Sequence, residues 1–203
     1  MERSCDFSPL KDEIRGRLKE IVIAVESLMD GLDLQQICLL NEFQRMKTMF
    51  LETKSLASTF YLNCYLSPFT KKHDQLSISV ANLSQRRHGA LIVIQRSDSV
   101  EPFMTAGVMV GAALTHSLIE SIFIPGGPLH DGAVFIQQEK IVSAGNVLPL
   151  TQASVSQNKL GTRHRAGLGL TEHCDALVII ISEETGQASF ALNGKLYPFS
   201  AEV

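Results

Sequence analysis

The 203-residue chain carries 18 Lys and Arg against 21 Asp and Glu, a formal net charge of −3, and is 45% hydrophobic with 19% charged residues. This balance excludes a disordered or fibrous chain and provides no general attraction to nucleic acid, so a polyphosphate ligand needs a local cluster of donors. The length suits one good-sized α/β domain with a smaller appendage.

Ser8 before Pro9 predicts a helix start, with proline at the first helical position. Leu10, Ile14, Leu18, Ile21, Val25 and Leu28 recur at helical spacing, and Gly31 is placed to end the helix. Asp33 can cap a second helix, whose apolar positions Leu34, Ile37, Leu40, Phe43 and Phe50 lead on to about Leu66 before Pro68 interrupts. Two antiparallel helices bury little alone, so their apolar faces need the main domain or a neighbouring subunit. The alternative is a hairpin that simply packs on its own core.

Leu76, Val80 and Leu83 predict a helix, and Gly89 to Ile94 reads as a strand buried on both faces. Ala112 to Phe123 reads as helical, and Pro125-Gly126-Gly127-Pro128 forces a loop. Ala133 to Ile136 and Ile141 to Leu148 have the spacing of a hairpin around Glu139-Lys140. A short helix is expected from Thr162 to about Thr171, and a buried strand from Ala176 to Ile181. A turn at Glu183 to Gly186, a strand from Ala188 to Leu192 and a tight turn at Asn193-Gly194 complete the pattern. The expected fold class is α/β: a mixed central β-sheet flanked by helices and preceded by an N-terminal two-helix hairpin. Residues 1–66 form the helical segment and 67–203 the α/β domain.

Cys5, Cys38, Cys64 and Cys174 lie far apart without Cys-x-x-Cys spacing, so they are expected to be reduced, with no disulfide framework or zinc ribbon. The longest apolar runs, Ile21 to Val25 and Ala176 to Ile181, fall short of the roughly 18 residues of a membrane span. With no leading signal-peptide pattern, the expectation is a soluble cytoplasmic protein.

Three clusters carry chemistry. Pro128-Leu129-His130-Asp131-Gly132-Ala133 lies between a Pro/Gly loop and a strand. Asp-Gly alone forms a turn, but the adjacent histidine adds a metal-capable or proton-capable group, and glycine leaves room for close approach. Gly161-Thr162-Arg163-His164-Arg165 stands at a helix start. There Thr162 can cap, the free N–H groups favour an anion, and Arg163 offers planar donors matched to phosphate; the bland alternative is a solvated basic turn. His164 between two arginines has its cationic form disfavoured by like charge. Ser182-Glu183-Glu184-Thr185-Gly186 follows a buried strand, where α/β sheets place functional loops, although acidic turns commonly just face solvent. His73, His88, His116 and His173 lack metal-ligand spacing and read as structural or surface residues. No P-loop and no Gly-x-Gly-x-x-Gly fingerprint is present.

These clusters, with Gly89 to Ile94, Ser121-Ile122-Phe123 and Leu148-Pro149-Leu150, closely resemble the diadenylate cyclase (DAC) domain over roughly Leu76 to Phe199. The resemblance implies a nucleotidyltransferase that condenses two ATP into cyclic di-AMP and releases two diphosphates. It implies Asp131 at the ribose 3′-hydroxyl, aided by Gly132 and by Glu184 near the catalytic centre. His130 and Asp131 are implied as ligands of a divalent metal, Mg, Mn or Co. Thr162, Arg163, His164 and Arg165 match the phosphate-binding run, Leu148 the backbone position that contacts adenine, and Ser182 a further nucleotide contact. Val147 stands where some relatives carry an aromatic residue. The implied partner besides ATP is a second copy of the chain: a homo-oligomer with a face-to-face dimer as active unit, a hexamer among its assemblies, and no nucleic acid or membrane. The paired N-terminal helices resemble those of the spore-associated Bacillus type, with an implied role in restraining activity. The competing readings are a non-catalytic adenine-nucleotide sensor and a metal-dependent nucleotide hydrolase.

Overall fold

A computed structural model describes residues 8–31, 39–152 and 160–199. Asp33, Leu34, Ile37, Cys5 and Cys38 lie outside them, so the expected cap of the second helix does too. The chain divides into two compact units, one to Tyr61 and one from Leu62.

The first unit holds α1 (Ser8–Gly31) and most of α2 (Leu39–Leu66). The ammonium of Lys11, early in α1, lies 5.6 Å from the ring centroid of Phe60, late in α2, so the pair runs antiparallel. Leu28 is buried, whereas Leu18, Val22, Ile23, Val25 and Met29 on α1 and Leu40, Phe43 and Phe50 on α2 stay exposed. The apolar stripe is only partly used.

The second unit begins with the last turn of α2, which sends Leu62 and Leu66 into the main core, followed by α3 (His73–Arg86). Its sheet has the order β2-β4-β3-β1-β5-β6-β7, from β1 (Ala90–Ile94), β2 (Val108–Ala113), β3 (Ala133–Gln137), β4 (Lys140–Asn146), β5 (Leu177–Ile181), β6 (Ala188–Leu192) and β7 (Lys195–Phe199). The β1–β3 pair is parallel and the other pairs are antiparallel, which makes the sheet mixed, as expected.

The central strands β1 and β5 are continuous apolar runs because both faces are covered. Ile92, Ile94, Ile179 and Ile181 point to the side with α3 and α4 (His116–Ile122), while Leu91, Val93, Val178 and Ile180 point to the side with α5 (Thr162–Thr171). Two cores thus share one sheet. On the first, Asn82, Arg86 and His116 converge on the Glu120 carboxylate at 2.8, 3.0 and 3.0 Å, tying α4 to α3.

Two stretches depart from expectation. Ala112 to Phe123 is not one helix: Val108–Ala113 is an edge strand, and α4 starts only after Thr115, whose hydroxyl accepts the Leu118 N–H at 3.3 Å. Ala112, Leu114 and Leu118 mimic helical spacing, but Gly111 at φ 64° and a register shift between Met109 and Ala112 suit a bulged strand. The strand β7 went unforeseen because Pro198 argues against a strand unless it lies at an edge, where β7 does lie. Cys64 is disulfide-bonded, correcting the expectation of four reduced cysteines, while Cys174 is free and buried.

The junction between β3, β4 and the entry to β2 depends on Asn146, which is fully buried. Its side-chain amide donates to Ala133 O at 2.8 Å, and its oxygen accepts Gly107 N–H at 2.9 Å and the Ser143 hydroxyl at 2.9 Å. Replacing Asn146 with Ala strands these groups, and urea denaturation is expected to register a loss of about 2–4 kcal/mol. A loss below about 0.5 kcal/mol would contradict this role.

Candidate active site

One open cavity of about 1240 Å³ lies in the second unit, lined by His130, Asp131, Leu160 to His164, Ile181 to Thr185, and Gln187. Its walls come from the loop before β3, the start of α5, and the turn after β5. The three sequence clusters therefore meet, although more than 50 residues separate the first from the last.

The loop before β3 ends in Gly132, at φ 98°. A Cβ there would sit 2.8 Å from Asn146 O and from Gly145 C, so the missing side chain makes room for the neighbouring β4 backbone. Gly132 does not line the cavity; it fixes the turn that presents Asp131. The Nδ1 of His130 bonds to Gly127 O, which can only accept, so Nδ1 carries a proton, and in the neutral imidazole Nε2 is the nitrogen that holds the lone pair.

Helix α5 starts at the cavity with Gly161 as its N-cap and no side-chain cap. Thr162 is the first helical residue and not the cap, a correction that leaves the first-turn N–H groups without a side-chain cap among the described residues, the arrangement that favours an anion. Gly169 lets the helix lie against the Pro149–Thr151 backbone, where a Cβ would come within 2.6 Å of Thr151 N. Arg163 Nη1 donates to Glu183 Oε2 at 2.7 Å. His164 Nε2 lies 3.3 Å from the Ser189 hydroxyl.

The turn after β5 is held by Ser182, whose carbonyl accepts Gly186 N–H at 2.8 Å and whose hydroxyl accepts Thr185 N–H at 3.3 Å. Glu183 and Glu184 are exposed at its tip. The hydrogen bond from Arg163 and its charge hold the Glu183 carboxyl below the usual carboxylate range, with a smaller push in the same direction from His130.

Burial lowers the pKa of His164, and the nearby Glu184 charge partly opposes this. The cause is desolvation, where the sequence pointed to the flanking arginines. With a folded value below the unfolded 6.5, the folded chain resists protonation there, so stability is lost as pH falls through 6.5 toward that folded value. Urea midpoints at pH 7.5 and 5.5 should converge in a His164→Gln variant relative to the unsubstituted chain. An unchanged pH difference would contradict this.

Of the expected site residues, His130, Asp131, Thr162, Arg163, His164, Ser182 and Glu184 line the cavity. Gly132, Leu148 and Arg165 do not; the Leu148 side chain is buried in the α5-side core, and Arg165 is exposed with its carbonyl accepting Thr151 N–H at 3.0 Å. Val147 is 63% exposed. Sequence reasoning assigned no role to Glu183, Thr185 or Gln187. Two adjacent glutamates gave no sign of which one meets Arg163. Among the described residues no three His, Cys, Asp or Glu side chains form a ready-made metal site. No helix among them is long and apolar enough to cross a membrane.

A phosphate-receptive helix start, a guanidinium and carboxylates around one cavity on a mixed sheet define a nucleotide-handling α/β domain. The family model described as DisA bacterial checkpoint controller nucleotide-binding, DAC, matches residues 77–196, and the one described as Diadenylate cyclase CdaS, N-terminal, matches residues 1–69. The chain belongs to the diadenylate cyclase family, a family of enzymes. It is 42% identical to the diadenylate cyclase CdaS of Bacillus thuringiensis (strain BMB171) over 94% of this chain and 97% of that one. It is 46% identical to the cyclic di-AMP synthase CdaS of Bacillus subtilis (strain 168) over 93% and 90%. A crystal structure described as a hypothetical membrane spanning protein from Bacillus cereus aligns with a TM-score of 0.83 and 42% identity over 95% of this chain and 94% of that one. A double mutant of DacA from Staphylococcus aureus aligns with a TM-score of 0.60 and 39% identity over 63% and 86%.

Proposed function

We propose that this chain is a diadenylate cyclase that joins two ATP molecules into cyclic di-AMP and releases two diphosphates. The observation that carries this reading is the convergence of His130, Asp131, Thr162, Arg163, His164 and Glu184 on one cavity. The 3′-hydroxyl of each ribose attacks the α-phosphorus of the other ATP, and the bond to the diphosphate leaving group breaks. Asp131 accepts the hydroxyl proton directly or acts with a bound cation, and Glu184 supports that centre. The start of α5, with Thr162, Arg163 and His164, binds the phosphate oxygens on which negative charge spreads. Ser182 and the Leu148 backbone contact the nucleotide, and Arg165 supports the phosphate-binding turn.

The residues fit a divalent cation shared with substrate. In its neutral form His130 offers Nε2, and Asp131 offers a carboxylate; such cations commonly take one or two protein ligands with phosphate oxygens completing the set. Mg, Mn or Co bound there would stabilise phosphoryl charge.

Both attacks require two ATP molecules face to face, so the active unit is a two-fold homodimer, each protomer contributing one half-site. The segment 1–66 restrains the cyclase domain 67–203 and drives higher assembly, a reading supported by the exposed apolar side chains of α1 and α2. Incubation with ATP and Mg²⁺, Mn²⁺ or Co²⁺, followed by identification of the product, tests the activity. Cyclic di-AMP supports the cyclase, ADP or AMP marks a hydrolase, and unchanged ATP a sensor.

A further inference from the structure

We infer that Gly89 and Glu183 form a seat for the Arg163 guanidinium, making Gly89 a positioning residue for phosphate binding although it does not line the cavity. This inference rests on the cyclase reading of that cavity.

Gly89 is buried immediately before β1. A Cβ built on it would run into Arg163 Nη1, would lie 2.7 Å from Arg163 Cζ, and would lie 2.9 Å from Glu183 Cβ. The guanidinium therefore occupies the space that any other side chain at position 89 would claim. It also donates the 2.7 Å bond to Glu183, and the Arg163 side chain is only 24% exposed against 67% for Glu183. One partner is thus a shape and the other a charge. An exposed carboxylate alone would hold a long side chain weakly, and the glycine surface beneath restricts where the guanidinium can settle. With Nη1 committed to Glu183, other donors of the fork remain for phosphate, in a direction set before the nucleotide arrives.

The backbone at Gly89 does not need a positive φ, since Gly89 is not among the residues that have one. Alanine is conformationally acceptable there; the atoms it meets first are the mobile end of Arg163, and Glu183 Cβ at 2.9 Å, on an exposed turn, must give by a few tenths of an ångström. Gly89→Ala should therefore fold and displace the guanidinium. The consequence is a functional loss that disappears when Arg163 is already absent.

The test is a double-mutant cycle of the unsubstituted chain, Gly89→Ala, Arg163→Ala and the double variant. Thermal melting, affinity for a non-reacting ATP analogue, and kcat/KM for cyclic di-AMP formation are read for each. Gly89→Ala should keep its melting temperature and lose on the order of tenfold to a hundredfold in kcat/KM, with weaker analogue binding. The double variant should be no worse than Arg163→Ala. Unchanged kinetics in Gly89→Ala, or multiplicative losses in the double variant, would overturn the seat. If Gly89→Ala fails to fold, the same cycle with Glu183→Gln decides, since it too must lose its effect in the Arg163→Ala background. If the unsubstituted chain makes no cyclic di-AMP, the cyclase reading fails, and analogue affinity across the cycle still judges the seat.

Discussion

Asp131→Asn is expected to lower kcat for cyclic di-AMP formation by about 10²–10⁴-fold while affinity for a non-reacting ATP analogue changes little. The substitution keeps the size of the side chain and its place beside Gly132, whose turn is fixed by its contact with the Gly145–Asn146 backbone. On the proposed mechanism it removes the group that accepts the 3′-hydroxyl proton and one negative charge for a cation. Because the proposal assigns the phosphates to the start of α5 and not to the turn before β3, binding and turnover should separate. Stopped turnover with analogue affinity retained supports the role. Near-normal kcat refutes it.

Arg163→Ala should reduce kcat/KM by about 10²–10³-fold, the range for loss of one donor aimed at developing charge. KM for ATP should rise and kcat should fall, since a phosphate contact acts in both the bound and the transition state. Arg163→Lys should recover only part of the loss, because a point charge cannot donate to Glu183 and to phosphate in the same planar geometry. Steady-state kinetics with the three side chains checks this. Full recovery by lysine would mean that charge alone matters and that the fork geometry is irrelevant.

The sequence was most legible where one signal dominated. Buried runs such as Leu91 to Ile94 and Leu177 to Ile181 admit little but central strands, and the second of these leads directly into a turn that walls the site. The chemistry-bearing clusters stood out because Asp131, Arg163 and Glu184 sit beside glycines and a helix start. Two kinds of information were hidden. Edge strands obey packing and not pattern, so the end of β2 was read into the helix that follows it and β7 was obscured by Pro198. Tertiary partners were equally silent: nothing in the residue order reveals that Gly89 lies under Arg163, or that Asn146 satisfies three groups at once.

Cyclization by apposed half-sites is most directly tested by sedimentation and product analysis on the same dilution series with ATP and a divalent cation. Cyclic di-AMP formed per protomer should track the fraction of chain in dimers or larger assemblies and vanish where only monomer sediments. Undiminished synthesis by the monomer would contradict the account.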